Sequence, residues 1–141
     1  MKQRLLLALL MLLTSAGFMK AQTIQVVPWG TSDVVLTFDK EVAVTGGTAE
    51  LNSTKTTVTI KSGETGTISI NTAQASTMTV SGNVKELSHT SIASSLTSIT
   101  CSGNSLATLG LLNANGLKTL NASDNKISSL SLPTATTLTS I

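Results

Sequence analysis

The chain has 141 residues, of which 43 are Ser or Thr, 11% are charged and 2% are aromatic. So small a charged fraction excludes a disordered polyelectrolyte, and a single Cys excludes an internal disulfide framework and a Cys-based zinc site. Residues 22–141 contain six Lys, no Arg and seven acidic residues, a net charge of about −1. We therefore expect no basic surface for a nucleic acid and no nucleic-acid partner.

The first 21 residues have the organisation of a secretory signal peptide. Lys2 and Arg4 form a short positive region, and residues 5–13 are an unbroken apolar run followed by small residues. A run of about nine apolar residues is too short to cross a membrane, which needs about 20. We therefore expect export with cleavage after Ala21 and no membrane span in the mature chain. The expected location is secreted or at the cell surface, with the periplasm as the alternative.

Residues 22–83 predict a small β module, and no helical period of apolar residues follows the signal peptide. Short runs of alternating β-branched residues are bounded by Gly, Asn, Asp or Ser, which is typical of strands and turns. Thr fills the positions between the apolar residues, and Asp33 and Asp39 flank one run, where we expect them to limit edge pairing. The alternating apolar pairs are Val34/Leu36, Val42/Val44, Val58/Ile60, Ile68/Ile70 and Met78/Val80.

Residues 84–141 contain a sequence repeat with a period of 21 residues. Each copy divides into two units of the form LxxLxφ, where φ is apolar, and each unit predicts one short strand with alternate side chains pointing inward. Two strands per coil, joined by Ser, Asn and Gly bends, would stack so that neighbouring coils cover each other's apolar edge. The predicted core of this stack is Leu96, Ile99, Cys101, Asn104, Leu106, Leu109, Leu117, Leu120, Asn125, Ile127 and Leu130.

Two features of the repeat need separate interpretation. Asn104 and Asn125 occupy the same position in successive copies, and we expect their amides to bond free backbone groups where the chain leaves a strand. The 21-residue register fails after Asn83, and a second register starts at Val84 and uses Leu87 and Ile92. We therefore expect a shortened first coil, with residues 76–83 as a strand that joins the β module to the stack.

The segment Leu96–Asn104, with the sequence LTSITCSGN, resembles the leucine-rich repeat pattern LxxLxCxxN. The repeat length is similar to that of internalin-like repeats in secreted bacterial surface proteins. Ala122 departs from the pattern, which usually has Leu or Cys there. The resemblance implies an all-β fold in which the N-terminal β module precedes a short leucine-rich-repeat solenoid of stacked parallel strands. It also implies non-catalytic recognition of a protein or glycan at a cell surface.

In a strand of this kind, the residues between the apolar ones point outward and form the predicted binding face. These residues are small, polar and uncharged, and the repeat region lacks the Trp, Tyr and Arg that dominate protein hot spots. We therefore expect only a weak contact from the coils themselves. The predicted face is Ser98, Thr100, Ser102, Thr119, Asn121 and Ser123.

Candidate catalytic chemistry is sparse in this sequence. Cys101 falls at an inward strand position, where a buried thiol behaves as a small hydrophobic group. His89, the single imidazole, is expected to be a solvated or capping residue. No carboxylate pair has a recognisable spacing, and Asp124 lacks the neighbouring oxygens of a calcium loop. We therefore predict no catalytic residues, no metal site and no cofactor.

Three functions agree with these observations. The first is an exported recognition or adhesion module, in which residues 22–83 cap the repeats of residues 84–141. The second is the N-terminal arm of a larger secreted enzyme, and the third is a glycan-binding or ice-binding face built from Thr rows in residues 54–80. The sequence stops at Ile141 within a third copy of the repeat and has no polar capping unit. We expect a fragment of a longer protein, or an end that pairs with another chain.

Overall fold

The computed structural model describes residues 22–72, 74–91, 95–134 and 138, so the predicted signal peptide and Ile92 lie outside the described residues. The described residues form twelve strands and no helix, which confirms the all-β prediction. No helix that could cross a membrane occurs in this part of the chain. The strands are β1 (Thr23–Pro28), β2 (Val34–Phe38), β3 (Ala43–Thr45), β4 (Ala49–Leu51), β5 (Thr57–Ile60), β6 (Ile68–Asn71), β7 (Thr77–Ser81), β8 (Val84–His89), β9 (Ser98–Thr100), β10 (Thr108–Gly110), β11 (Thr119–Asn121) and β12 (Ser129–Ser131).

The strands form two sheets of six strands each. The first sheet has the order β12-β10-β8-β1-β6-β3, and the second has the order β11-β9-β7-β2-β5-β4. Within each sheet, the strands on the N-terminal side pair antiparallel, whereas β8, β10 and β12, and likewise β7, β9 and β11, pair in parallel. Both sheets therefore change from antiparallel to parallel pairing at the same level of the molecule.

One hydrophobic core lies between the two sheets and continues from the antiparallel part into the parallel part. It includes Ile24 and Leu36 from the antiparallel part and Ile99 and Leu109 from the parallel part, all fully buried. Alternation of side chains along each strand accounts for this arrangement, because only every second residue faces the opposite sheet. Both sheets thus continue without interruption past the predicted boundary between residues 83 and 84.

The start of the parallel part differs from the sequence prediction. Residues 77–81 form β7, which pairs in parallel with β9 and places Met78 opposite Ile99. β8 pairs in parallel with β10 and places Leu87 opposite Leu109. Residues 77–81 form the strand that was predicted to join the β module to the repeats, since β7 pairs with β2 on one side and with β9 on the other. The predicted start of a shortened first coil at Val84 was wrong, because β7 already pairs in parallel with β9. β7 and β8 together make one coil, offset from the next by 21 residues in β7 and by 22 in β8.

The bend between β7 and β8 is one residue shorter than the bend between β9 and β10. Gly82 lies there with a φ of 111°, and a Cβ at this position would lie 2.4 Å from the carbonyl oxygen of Asp33. The bend therefore packs directly on the start of β2, and only glycine combines this close approach with a positive φ. The missing residue shifts the register by one position, which hid the first coil from the 21-residue pattern.

The predicted core residues of the repeats differ in burial. Leu130 is 52% exposed, which contradicts its assignment to the core. It lies on β12, which ends the first sheet and pairs with β10 on one side. Ile127 and Asn125 are partly buried. The remaining predicted core residues are buried, and they are Leu96, Ile99, Cys101, Asn104, Leu106, Leu109, Leu117 and Leu120.

Asp33 and Asp39 do not limit edge pairing, because β2 is an inner strand between β7 and β5. Asp33 Oδ1 instead accepts a hydrogen bond of 2.8 Å from the backbone N–H of Ser62. This bond, together with the nearby charge of Lys61, lowers the pKa of Asp33 against the opposing effect of desolvation. Both carboxylates hold loops in place at the ends of β2.

Candidate binding face

The outer side of the second sheet carries mostly hydroxyl and amide side chains, with Val35 on β2 as an apolar neighbour. Met78, Ile99 and Leu120 point into the core from three neighbouring strands, so the residues on either side of each must point outward. We call this surface the hydroxyl face. Its members are Thr37, Thr57, Thr59, Thr77, Thr79, Ser98, Thr100, Thr119 and Asn121.

Strand register aligns five members of the hydroxyl face in one row. Asn121 is opposite Thr100, and Thr100 is opposite Thr79. Thr79 is opposite Thr37, and Thr37 is opposite Thr57. Since neighbouring strands lie about 4.8 Å apart, this row spans about 19 Å across five strands. It crosses from the parallel part of the sheet into the antiparallel part without a break.

The row joins two surfaces that the sequence predicted separately. Thr57 and Thr79 belong to the predicted Thr rows of residues 54–80, whereas Thr100 and Asn121 belong to the predicted face of the repeats. The connection runs through Thr37 on β2, which pairs with both β5 and β7. Sequence analysis missed Thr37 because nothing local indicates which strands will lie on either side of β2.

Ser102 and Ser123 lie outside the hydroxyl face, in the bends that follow β9 and β11. Ser123 donates two hydrogen bonds to Asn121 Oδ1, 3.2 Å from its backbone nitrogen and 3.0 Å from its Oγ. These two bonds fix the orientation of the Asn121 amide. Ser102 contributes its carbonyl oxygen, which accepts from Asn104 Nδ2 at 3.0 Å. Both serines therefore support the bends. The other four residues of the predicted face lie on the hydroxyl face, and they are Ser98, Thr100, Thr119 and Asn121.

Asp39 anchors the edge of the hydroxyl face where β7 begins. Its Oδ1 accepts from the backbone N–H groups of Ser76 and Thr77, at 2.8 and 3.0 Å, and its Oδ2 accepts from the Ser76 hydroxyl. Desolvation alone would raise the pKa of Asp39, but these hydrogen bonds outweigh it and lower the pKa to about 2. The carboxylate thus stays charged at neutral pH and holds the first residue of β7 in register.

A group of three charged side chains lies near the β4 edge of the second sheet. Glu50 on β4 lies opposite Thr59, and its carboxylate is 3.5 Å from Lys61 Nζ. Lys61 also lies 3.4 Å from Asp33, and the two carboxylates raise the pKa of this lysine. All three side chains are largely exposed, so these ion pairs contribute little stability. They place the charged boundary of the face at β4, away from the row of five.

Side-chain amides support the bends of the parallel part. Asn125 Oδ1 accepts from the backbone nitrogens of Asn104 and Leu106, both at 3.0 Å. Its Nδ2 donates to the carbonyl oxygen of Cys101 at 2.8 Å. Asn104 Nδ2 donates in the same way to the carbonyl oxygen of Val80 at 3.0 Å. Each amide therefore joins one coil to the coil before it.

The two side chains with the most reactive chemistry are buried. Burial raises the pKa of the Cys101 thiol to about 11, so the thiol stays protonated at neutral pH. His89 is 3% exposed, and burial lowers its pKa. The prediction of a solvated or capping His89 was therefore wrong, because the residue takes an inward position at the end of β8. Within the described residues, no group of three or more His, Cys, Asp or Glu is arranged to hold a metal ion.

The side chain of Trp29 is a second surface feature of the molecule. It is 44% exposed, and its indole Nε1 donates to the carbonyl oxygen of Ser105 at 3.3 Å. The two residues are 76 positions apart in the sequence, so this contact left no local pattern. The available signal was compositional, because Trp29 is the single Trp of a chain in which 2% of the residues are aromatic.

Comparisons of the chain with models of known protein families, with curated protein sequences and with solved structures gave no match.

Proposed function

We propose that this chain is an exported, non-catalytic recognition module that binds a glycan through the hydroxyl face. The observation that carries the proposal is the row of Asn121, Thr100, Thr79, Thr37 and Thr57 across five neighbouring strands. Regularly spaced donors and acceptors without charge match a polymer whose own surface is a regular series of hydroxyl groups. Each contact is weak, so affinity comes from many contacts along an extended ligand.

The chemistry of the face favours a glycan over a protein partner. Protein hot spots depend on Trp, Tyr and Arg held in desolvated pockets, and the hydroxyl face has none of these residue types. Thr side chains are β-branched and rigid in strands, so little conformational entropy is lost when their hydroxyls are ordered by a ligand. A glycan makes use of such a surface, since it needs directional hydrogen bonds more than apolar anchors.

The proposal includes a scaffold of the leucine-rich-repeat type for residues 84–141. Its support is the parallel pairing of strands one period apart, which places Ile99 opposite Leu120 and Leu109 opposite Leu130. The amide of Asn125 bonds the backbone of the preceding coil, as an inward Asn in such a repeat does. The antiparallel strands of residues 22–72 cover the first coil through β1 and β2.

The experiment that tests the face is a glycan array probed with the exported chain and with a double variant, Thr79→Val and Thr100→Val. Valine keeps the β-branched shape and removes the hydroxyl, so the fold is retained while two donors are lost from the row. Thr108→Val is the matched control, because Thr108 is on β10 in the first sheet. We expect the double variant to lose binding by about tenfold and the control to bind as the unaltered chain does.

Two outcomes would overturn the proposal. One is an array without any retained glycan, and the other is equal loss in the control variant and the double variant. The ice-binding alternative is tested by measuring how much of the unaltered chain and of the double variant adsorbs to growing ice crystals. Retention on ice that is lost in the double variant, without glycan binding, would assign the same face to ice.

A further inference from the structure

A groove lies along the edge of the molecule where the chain bends from the second sheet to the first. Asn83, Ser105 and Lys126 come from three successive bends, between β7 and β8, between β9 and β10, and between β11 and β12. Trp29 and Thr31, from the loop between β1 and β2, complete the lining of this groove, which has a volume of about 240 Å³. The groove is separate from the hydroxyl face, which is on the outer side of the second sheet.

The indole of Trp29 is held in a fixed orientation in this groove. Its Nε1 donates to the carbonyl oxygen of Ser105 at 3.3 Å, and its backbone nitrogen donates to the carbonyl oxygen of Asn83 at 3.0 Å. With 44% of the residue exposed, the ring offers an apolar surface to solvent at little further cost in conformational entropy. A ring fixed in this way is suited to stack against a flat ligand.

Two of the six lysines of the mature chain are at this groove. Lys85 Nζ lies 5.8 Å from the centre of the Trp29 ring, at the outer limit of a cation–π contact. Lys126 lines the groove from the last of the three bends, and no ion pair to it is found within the described residues. Lys85 lies 3.8 Å from Glu86 in a largely exposed pair, which holds it only weakly. Positive charge is therefore available beside the ring.

Uncharged polar groups lie between the ring and the Lys126 side of the groove. Asn83 Nδ2 donates to Thr31 Oγ1 at 3.1 Å, and Ser105 Oγ donates to Asn83 Oδ1 at 3.5 Å. These are exposed or half-buried bonds that a ligand hydroxyl can replace. The groove thus combines one aromatic surface, a short series of hydroxyl and amide groups, and ammonium groups.

We propose that this groove binds one hexuronate unit of an acidic polysaccharide. The apolar face of the pyranose ring stacks on the Trp29 indole, its hydroxyls bond Asn83 and Ser105, and its carboxylate pairs with Lys126. The groove is smaller than the clefts of about 300–1,000 Å³ that enclose drug-sized ligands, so it takes a single ring of a longer chain. The choice of an acidic sugar follows from charge complementarity with the two lysines.

This inference rests on the proposed function only in the class of ligand, since both sites take a sugar. The two sites can be tested apart, because the hydroxyl face is altered by Thr→Val variants and the groove by changes at Trp29 and Lys126. If binding to the hydroxyl face responds to the Thr→Val variants but oligogalacturonate binding does not respond to changes at Trp29 and Lys126, only the groove proposal fails. The opposite result means that only the proposal for the hydroxyl face fails.

The test is a titration of the full exported chain with an oligogalacturonate, followed by tryptophan fluorescence and by calorimetry. Trp29 is the single Trp of the chain, so any fluorescence change reports on the groove. A neutral hexose oligosaccharide of the same length and a polyglutamate of the same charge serve as comparison ligands. Lys126→Met removes the proposed carboxylate partner, and Lys40→Met is its matched control, because Lys40 is exposed and lies beyond the opposite end of β2.

We expect a saturable fluorescence change with oligogalacturonate and a much weaker response to both comparison ligands. Lys126→Met should weaken binding by about threefold to fivefold, and Trp29→Ala by at least about tenfold in calorimetry. Lys40→Met should bind as the unaltered chain does. Equal binding of the neutral oligosaccharide, an equal response to polyglutamate, or full binding by Lys126→Met would each overturn the proposal.

Discussion

Met78 lies directly opposite Ile99 in the parallel pairing of β7 with β9, although the two residues are 21 positions apart in the chain. Ile99 lies in turn opposite Leu120, and each of these three side chains is at most 2% exposed. The sequence period therefore becomes a column of apolar side chains between the two sheets. A charge placed anywhere in this column has no water and no partner.

The first prediction concerns that column. Ile99→Asp should lower the free energy of unfolding by at least about 4 kcal/mol, because an unpaired carboxylate must be buried or the coil must open. Urea denaturation followed by circular dichroism measures the loss. Ser98→Ala, on the neighbouring outward position, should stay within about 0.5 kcal/mol of the unaltered chain. A tolerated Ile99→Asp beside a damaging Ser98→Ala would mean that the inner and outer faces are reversed.

The second prediction concerns the amides that join the coils. Asn125→Ala should cost about 2 kcal/mol, since the backbone N–H groups of Asn104 and Leu106 lose their acceptor. Hydrogen exchange at these two amides should also become faster. Asn121→Ala is the control, because the Asn121 amide oxygen accepts hydrogen bonds from Ser123, two residues away in the same bend, and does not join two coils. An equal effect of both variants would contradict the role assigned to Asn125.

The third prediction concerns the bend between β7 and β8. Gly82→Ala should destabilise the chain by at least about 2 kcal/mol, because alanine is strained at a φ of 111° and its Cβ would meet the carbonyl oxygen of Asp33. Gly66→Ala should have little effect, since its Cβ would meet no atom within 4 Å. Thermal unfolding of both variants gives the comparison. Similar midpoint temperatures of unfolding for Gly82→Ala and Gly66→Ala would show that the bend between β7 and β8 does not need glycine.

The fourth prediction concerns pH. Burial lowers the pKa of His89 from its usual 6.5, so the unfolded chain binds a proton at a higher pH than the folded chain does. Stability is therefore fully present above pH 6.5 and falls as the pH drops from 6.5 towards the folded-state pKa. The slope from this group reaches at most about 1.4 kcal/mol per pH unit.

His89→Leu tests this pH dependence, because Leu111 occupies the corresponding inward position of the next coil and both residues are buried. Urea unfolding between pH 5 and pH 7.5 should show a decline for the unaltered chain that is absent or much smaller in the variant. Retention of the full decline in His89→Leu would assign it to another group. Equal exchange of the imidazole proton with solvent in folded and unfolded chains would also contradict the burial of His89.

Local sequence determined most of the buried positions of this protein. The alternation of Val58 with Ile60 and of Ile68 with Ile70 predicted strands that the structure contains, because side chains of a strand alternate between two faces and only one face is covered. The same rule predicted the burial of Ile99 and Leu120. It was wrong for Leu130, since alternation marks the inner face of a strand but does not show whether another element covers it.

Tertiary structure alone decided which strands are neighbours, and with it both candidate sites. The hydroxyl face exists because β2 lies between β5 and β7, and the groove exists because Trp29 reaches Ser105 across 76 positions. The sequence pattern missed the first coil because the segment between β7 and β8 is one residue shorter than its counterpart in the next coil, which shifts the register of β8 against that of β7. The periodicity of apolar residues indicates which side of its own strand each residue is on. Strand pairing depends instead on the free energy of contacts between segments that are distant in the sequence, and a local pattern carries no information about those contacts.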